Sequence, residues 1–227
     1  GNVKNGLVDL SDLDIDAMFR DIEKIYIVAC GTAYHAGLVG RLALEKLAHI
    51  PVETDIASEF RYRDVLWNPK SVLIVISQSG ETADTLAVLR EAKRNGIKVL
   101  AVTNVVGSAV SREADRVIYT HAGPEIAVAS TKAYSTQLLI MYLLALHLAR
   151  VRNTMDVAQL QALTDEIGRI DSMVAAVLGQ QDKIRELNGS KMIILETRNK
   201  DLIREYLKTA PADFLFIDSI NVLGIDD

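Results

Sequence analysis

Apolar residues along the chain fall into short, β-branched runs separated by stretches with helical spacing. The runs are Ile25–Ala29, Val52–Ile56, Val72–Ile76, Val99–Val102 and Val117–Tyr119. Between them, Leu38, Leu42, Leu44 and Leu47, and later Leu86, Leu89 and Ala92, recur at the three-to-four-residue intervals of a helix face. Strands apolar at nearly every position, alternating with helices, predict a parallel sheet covered on both faces. The fold class is therefore α/β, doubly wound. Ahead of the first strand, about twenty residues read as a lead-in, with Ser11 placed to cap a short helix through Phe19 and Ile22.

Two long helices follow the last run. One is predicted from about Thr131 to Arg150. The other runs from about Met155 to Leu187, with a break near Gly168. The apolar run Leu138–Ala149 is shorter than the about 20 residues that span a bilayer, and contains His147, so it reads as a buried helix. At Asn188-Gly189-Ser190 the pattern changes. Beyond it, Met192–Leu195 reads as a strand, Lys200–Leu207 as a helix and Phe214–Ile217 as a strand. Two segments are thus expected: residues 1–187, and a linker with a strand-helix-strand tail over residues 188–227. The tail is too small to bury a core of its own. Its start at Gly189-Ser190-Lys191-Met192 reads either as a fusion junction or as a linker to a divergent βα segment.

Composition narrows the function classes. The 227 residues are 49% apolar and 24% charged, which excludes a mainly disordered chain. A net charge of −5 argues against a broad nucleic-acid surface. The single Cys30 cannot form an internal disulfide, which fits a reducing cytoplasm, and no secretory signal opens the chain. Neither G-x-G-x-x-G nor a P-loop is present, so a nucleotide-binding α/β domain is weakly supported. The four histidines and one cysteine lack metal-ligand spacing, and no cofactor is expected.

The chemistry concentrates at strand-to-helix junctions. Ser77-Gln78-Ser79-Gly80-Glu81-Thr82 follows one apolar run and precedes a helix. Hydroxyls from Ser77, Ser79 and Thr82, the Gln78 amide, a close backbone approach at Gly80 and the helix N-terminus together could cradle a phosphate without any cationic side chain. The plain alternative is a turn that only caps its helix. Cys30-Gly31-Thr32 has the same design, and the two loops could face one pocket. Cys30 with His35 could also be read as nucleophile and base, although a small buried thiol is the commoner role. In Gly123–Lys132, Ser130 or Thr131 could cap the next helix or hold sugar hydroxyls, with Glu125 and Lys132 as charged candidates. The cluster Glu59-Phe60-Arg61-Tyr62-Arg63 could line a pocket mouth, an interface or simply a surface helix.

Five strings, in order, resemble one family: IYIVACGT at 25–32, IASEFRYR at 56–63, ISQSGETADT at 76–85, TNVVGS at 103–108 and AGPEIAVASTKAY at 122–134. Over residues 1–187 they resemble the first of the two sugar isomerase (SIS) domains of the glucosamine-6-phosphate synthases, the glutamine–fructose-6-phosphate aminotransferases (isomerizing). The resemblance implies a five-stranded parallel sandwich that pairs as a homodimer and binds fructose 6-phosphate or glucosamine 6-phosphate for amino-sugar synthesis, without nucleic acid or membrane. Carried over, Ser77, Gln78, Ser79 and Thr82 hold the phosphate. Thr32, with Gly31 and Cys30 beside it, lines a second ligand loop, and Val128 and Ser130 lie near the sugar. The family adds ammonia to the open sugar and then isomerises ketose to aldose. It does so with a glutamate base, a ring-opening histidine and an imine-forming lysine from its second SIS domain and tail. Residues 188–227 match none of these motifs, and no glutaminase domain precedes the match. The chain is thus expected to bind the phosphosugar and to be catalytically incomplete. The alternative is a non-catalytic SIS module for sugar-phosphate sensing or dimerisation.

Overall fold

The computed structural model describes residues 2–125, 130 and 132–180. The chain divides into two compact units, residues 1–167 and residues from 168 onward. The expected tail over 188–227, with its strands and helix, lies outside the described residues.

The first unit is built on five parallel strands: β3 (Lys24–Ala29), β4 (Val52–Ile56), β5 (Ser71–Ser77), β6 (Lys98–Thr103) and β7 (Arg116–Tyr119), in the order β4-β3-β5-β6-β7. The five expected strands are all present, most of them extended by polar residues at their ends. β5 is central, and all seven of its residues are buried. Alternate side chains serve opposite faces, as the pleat requires. Ile25, Ile27, Val72, Ile74, Ile76, Leu100 and Val102 enter one core, whereas Tyr26, Val28, Leu73, Val75, Val99 and Ala101 enter the other.

Helices connect the strands. α2 (Gly31–Ala43) and a π-helical turn (Leu44–Ala48) follow β3; α3 (Ala57–Phe60) follows β4; α4 (Ala83–Arg94) follows β5; α5 (Ala109–Glu113) follows β6. α6 (Lys132–Val151) is long and apolar enough to cross a membrane by length and composition. In this fold it is a core helix. Ala133, Gln137, Met141, Leu144 and Leu148, spaced by three or four residues, are buried, and α6 packs on α2. The two helices approach closely because α2 carries Gly40. A Cβ there would lie 2.7 Å from Met141 Sδ. α7 (Val157–Gly168) completes this layer, and α8 (Ile170–Leu178) is the described part of the second unit. The expected break near Gly168 falls between these two helices.

The lead-in differs from expectation. Asn2–Lys4 (β1) and Leu7–Asp9 (β2) pair as an antiparallel hairpin around Asn5-Gly6, both at positive φ (55° and 74°). Asn-Gly is the favoured pair for such a two-residue turn. Ser11 opens a 3₁₀ turn (Ser11–Leu13) rather than capping a helix, and its hydroxyl donates to Asp16 at 3.2 Å in α1 (Asp16–Phe19). Fully buried His147 ties this segment to α6. Its Nδ1 accepts the Leu10 N–H at 3.1 Å, so Nε2 carries the proton toward Asp16 Oδ1 at 2.7 Å. His147 is thus the core residue anticipated from its apolar surroundings.

Candidate functional site

The strand order places one reversal of direction in the sheet. From β3 the chain steps outward to β4, then returns across β3 to β5 and continues through β6 and β7. The crevice at the carboxyl ends of β3 and β5 is where open α/β sheets bind ligands. Ala29 pairs with Ile76 in register, so Cys30-Gly31-Thr32 and the turn at residues 77–82 leave the sheet side by side. The two sequence-predicted loops therefore meet at the same crevice.

The turn after β5 is held by its own hydroxyls and by its neighbour. Ser77 Oγ, buried, accepts the Gly80 N–H at 3.0 Å and lies 3.1 Å from Thr82 Oγ1. Ser79 Oγ accepts the Glu81 N–H at 3.2 Å. Outside the turn, the Gln78 carbonyl accepts the Asn104 N–H at 3.2 Å, and the Gly80 carbonyl accepts the Val110 N–H at 2.9 Å. The Glu81 carboxylate accepts the Ala109 N–H, at the start of α5, at 2.8 Å. Gly80 adopts φ +67°, a conformation that L side chains resist. Gln78, Ser79 and Thr82 are half-buried, as is Cys30, while Gly31 and Thr32 are exposed.

Both helices that begin here lack a side-chain cap. α2 starts after Cys30 and α4 after Thr82, and neither N-cap residue bonds its helix through its side chain. The first-turn N–H groups of a helix have no partner within the helix, and the helix dipole makes that end partly positive. Two such ends flank one crevice whose loops, 30–32 and 77–82, hold no lysine or arginine. The arrangement suits a multiply charged oxyanion better than a cation or an apolar group.

Other candidates are placed differently. His35 is exposed and its ring tilts against Tyr34 at 5.6 Å; among the described residues no hydrogen bond joins it to Cys30. Glu125 Oε2 accepts the Ala133 N–H at 3.2 Å and so supports the first turn of α6. Ser130 is half-buried and Lys132 exposed. Val128 lies outside the described residues. The cluster around Arg61 lines an open groove of about 650 Å³, shared with Trp67, Arg90 and Arg94. Its arginines are paired: Arg61 with Asp84, Arg63 with Glu53 and Asp55, Arg90 with Glu113, and Arg94 with Glu91.

One residue the sequence reading quoted without a role is a hub. Asn104, just past β6, donates its backbone N–H to Gln78 and its Nδ2 to the Gly123 carbonyl at 2.7 Å. Its Oδ1 accepts from Thr120 Oγ1 at 3.0 Å and from the Ala122 N–H at 2.8 Å. Nothing local signals these partners, which lie 16 to 26 residues away.

Comparison with known proteins agrees with this geometry. Residues 18–147 match the family described as the SIS domain. The chain is 56% identical over 180 residues to the glutamine–fructose-6-phosphate aminotransferase (isomerizing) of Clostridium perfringens, covering 79% of this chain and 30% of that protein. It is 58% identical over 165 residues to the enzyme of the same name from Caldanaerobacter subterraneus, covering 73% and 27%. The chain thus spans about 30% of the length of the curated relatives it matches. Among solved structures, it is similar to the C-terminal domain of glucosamine-fructose-6-phosphate aminotransferase from Francisella tularensis, with a TM-score of 0.77 and 37% identity over 84% of this chain and 55% of that one. A parallel sheet in this order, with hydroxyl-rich turns at its reversal point and a sequence match over residues 18–147, makes the chain a member of the SIS domain family.

Proposed function

We propose that the chain binds a hexose phosphate, fructose 6-phosphate or glucosamine 6-phosphate, with the phosphate seated between α2 and α4. The observation that carries this reading is the pair of uncapped helix N-termini facing one crevice at the sheet's reversal point. Ser79, Thr82 and the Gln78 amide donate to the phosphate oxygens, and Ser77 holds the turn in the shape that aims them. Gly31 and Thr32, beside Cys30, close the other wall, and Val128 and Ser130 contact the sugar. In this reading the chain serves a glutamine–fructose-6-phosphate aminotransferase, in the cytoplasm and as a homodimer. The described residues supply ligand binding, while amine transfer and isomerisation belong to other segments of such an enzyme.

Calorimetric titration of the 227-residue chain with fructose 6-phosphate tests the site. Saturable binding is expected. In Ser79→Ala/Thr82→Ala the affinity should fall by at least about a hundredfold, because each of the two lost hydrogen bonds to a charged group contributes roughly 1.5–3 kcal/mol. Binding with unchanged affinity in the double variant would remove the turn from the site.

A further inference from the structure

Asn104 uses both ends of its carboxamide and its own N–H on separate loops. The N–H fixes the Gln78 carbonyl in the turn after β5. The side chain fixes residues 120–123 after β7 through Thr120 Oγ1, the Ala122 N–H and the Gly123 carbonyl. A carboxamide offers two donors and an acceptor oxygen with two lone pairs, and here that oxygen is filled. Among the described residues, the backbone around 120–123 has few other ties: His121 and Gly123 both sit at positive φ (51° and 72°), and the Thr120 N–H donates to the Thr103 carbonyl, which precedes Asn104. The loops after β5, β6 and β7 all open at the same end of the sheet. A ligand whose phosphate lies at β5 and whose remainder extends toward β7 therefore meets a wall whose distance from the phosphate is set by Asn104.

We propose that Asn104 is a positioning residue that sets the spacing between the phosphate turn at residues 77–82 and the segment 120–123, and so lets the site favour a sugar phosphate over free phosphate. It acts through the loops and does not touch the ligand. This inference rests on the phosphate reading of the 77–82 turn.

The test is a ratio rather than a single affinity. The full chain is titrated with inorganic phosphate and with fructose 6-phosphate, before and after Asn104→Ala. Phosphate affinity should stay within about twofold, since the hydroxyls of the turn remain, while fructose 6-phosphate affinity should fall by about tenfold as the second loop loses three fixed contacts. General loosening of the fold would weaken both ligands together. Should Asn104→Ala lose cooperative thermal unfolding, Thr120→Val carries the test. It removes one donor to Asn104 Oδ1, and a drop of about threefold in the ratio supports the role. If the chain binds both ligands and neither variant changes their ratio, the positioning role is overturned while the phosphate site stands. If the unmodified chain binds neither ligand, the proposed function fails and takes this inference with it.

Discussion

Gly80 and Ser108 are in contact across two loops: a Cβ added to residue 80 would lie 2.1 Å from Ser108 Oγ and 2.5 Å from Ser108 Cβ. Gly80→Ala therefore combines a left-handed backbone, unfavourable by about 1–2 kcal/mol, with overpacking of about 1–3 kcal/mol. A loss of roughly 2–5 kcal/mol in denaturant unfolding is expected. Adding Ser108→Gly should restore most of the overpacking share, leaving the backbone share and the 2.9 Å approach to Thr103 Oγ1, a coupling that a double-mutant cycle reads directly. Independent, additive effects of the two changes would contradict the contact.

Thr85, on the buried side of α4, is fully enclosed, and its hydroxyl has no hydrogen-bond partner among the described residues. A buried hydroxyl without a partner costs stability that an apolar group of similar shape does not. Thr85→Val is expected to raise the unfolding free energy by up to about 1 kcal/mol. Destabilisation beyond that size would mean the hydroxyl is satisfied after all.

His147 joins the lead-in to the sheet unit, and its removal leaves the buried Leu10 N–H without an acceptor. His147→Leu should destabilise the unit by roughly 2–3 kcal/mol, mostly through that orphaned N–H. Amide exchange at Leu10 would speed up more than exchange in β5. Equal acceleration throughout the sheet would argue that His147 serves packing alone.

Asp9 is held well below the usual carboxylate range, first by the Ser11 N–H and then by Lys4. Arg150 adds a contact at 3.0 Å. A depressed folded-state pKa means that the unfolded chain takes up the proton first. The stabilisation is therefore complete above the ordinary value near 3.8 and drains away as pH falls below it. Asp9→Asn should lower stability at neutral pH and flatten its decline in acid. A variant with the same acid limb as the parent would exclude this carboxylate as a contributor.

The sheet was legible because its strands are buried on both faces. Continuous apolar runs at Val72–Ile76 and Val99–Val102 can serve little else, whereas polar end residues such as Ser71 and Thr103 gave no signal. The turn at residues 77–82 was legible as a hydroxyl-rich strand-to-helix junction from composition and its place after a strand. The hairpin at residues 2–9 was missed, although Asn5-Gly6 carried the signal; its strands are three residues each, too short for a periodic pattern. The inward bonding of the Ser77 hydroxyl was also invisible, because a serine in a turn looks alike whether it faces a ligand or its own backbone. Beyond any local reading lay the ties between loops, Glu81 to Ala109 and Asn104 to Gly123, whose partners are set by strand order.

β5 has no exposed position, and the turn at residues 77–82 grows straight from its end. Such a strand is among the last parts of a domain to open. In the proposed reading, an anion therefore meets a turn whose first residue is fixed by the core, a shape already set at that end rather than moulded on arrival. Its occupancy should be felt as a later melting of the entire sheet, with little stiffening of the turn itself.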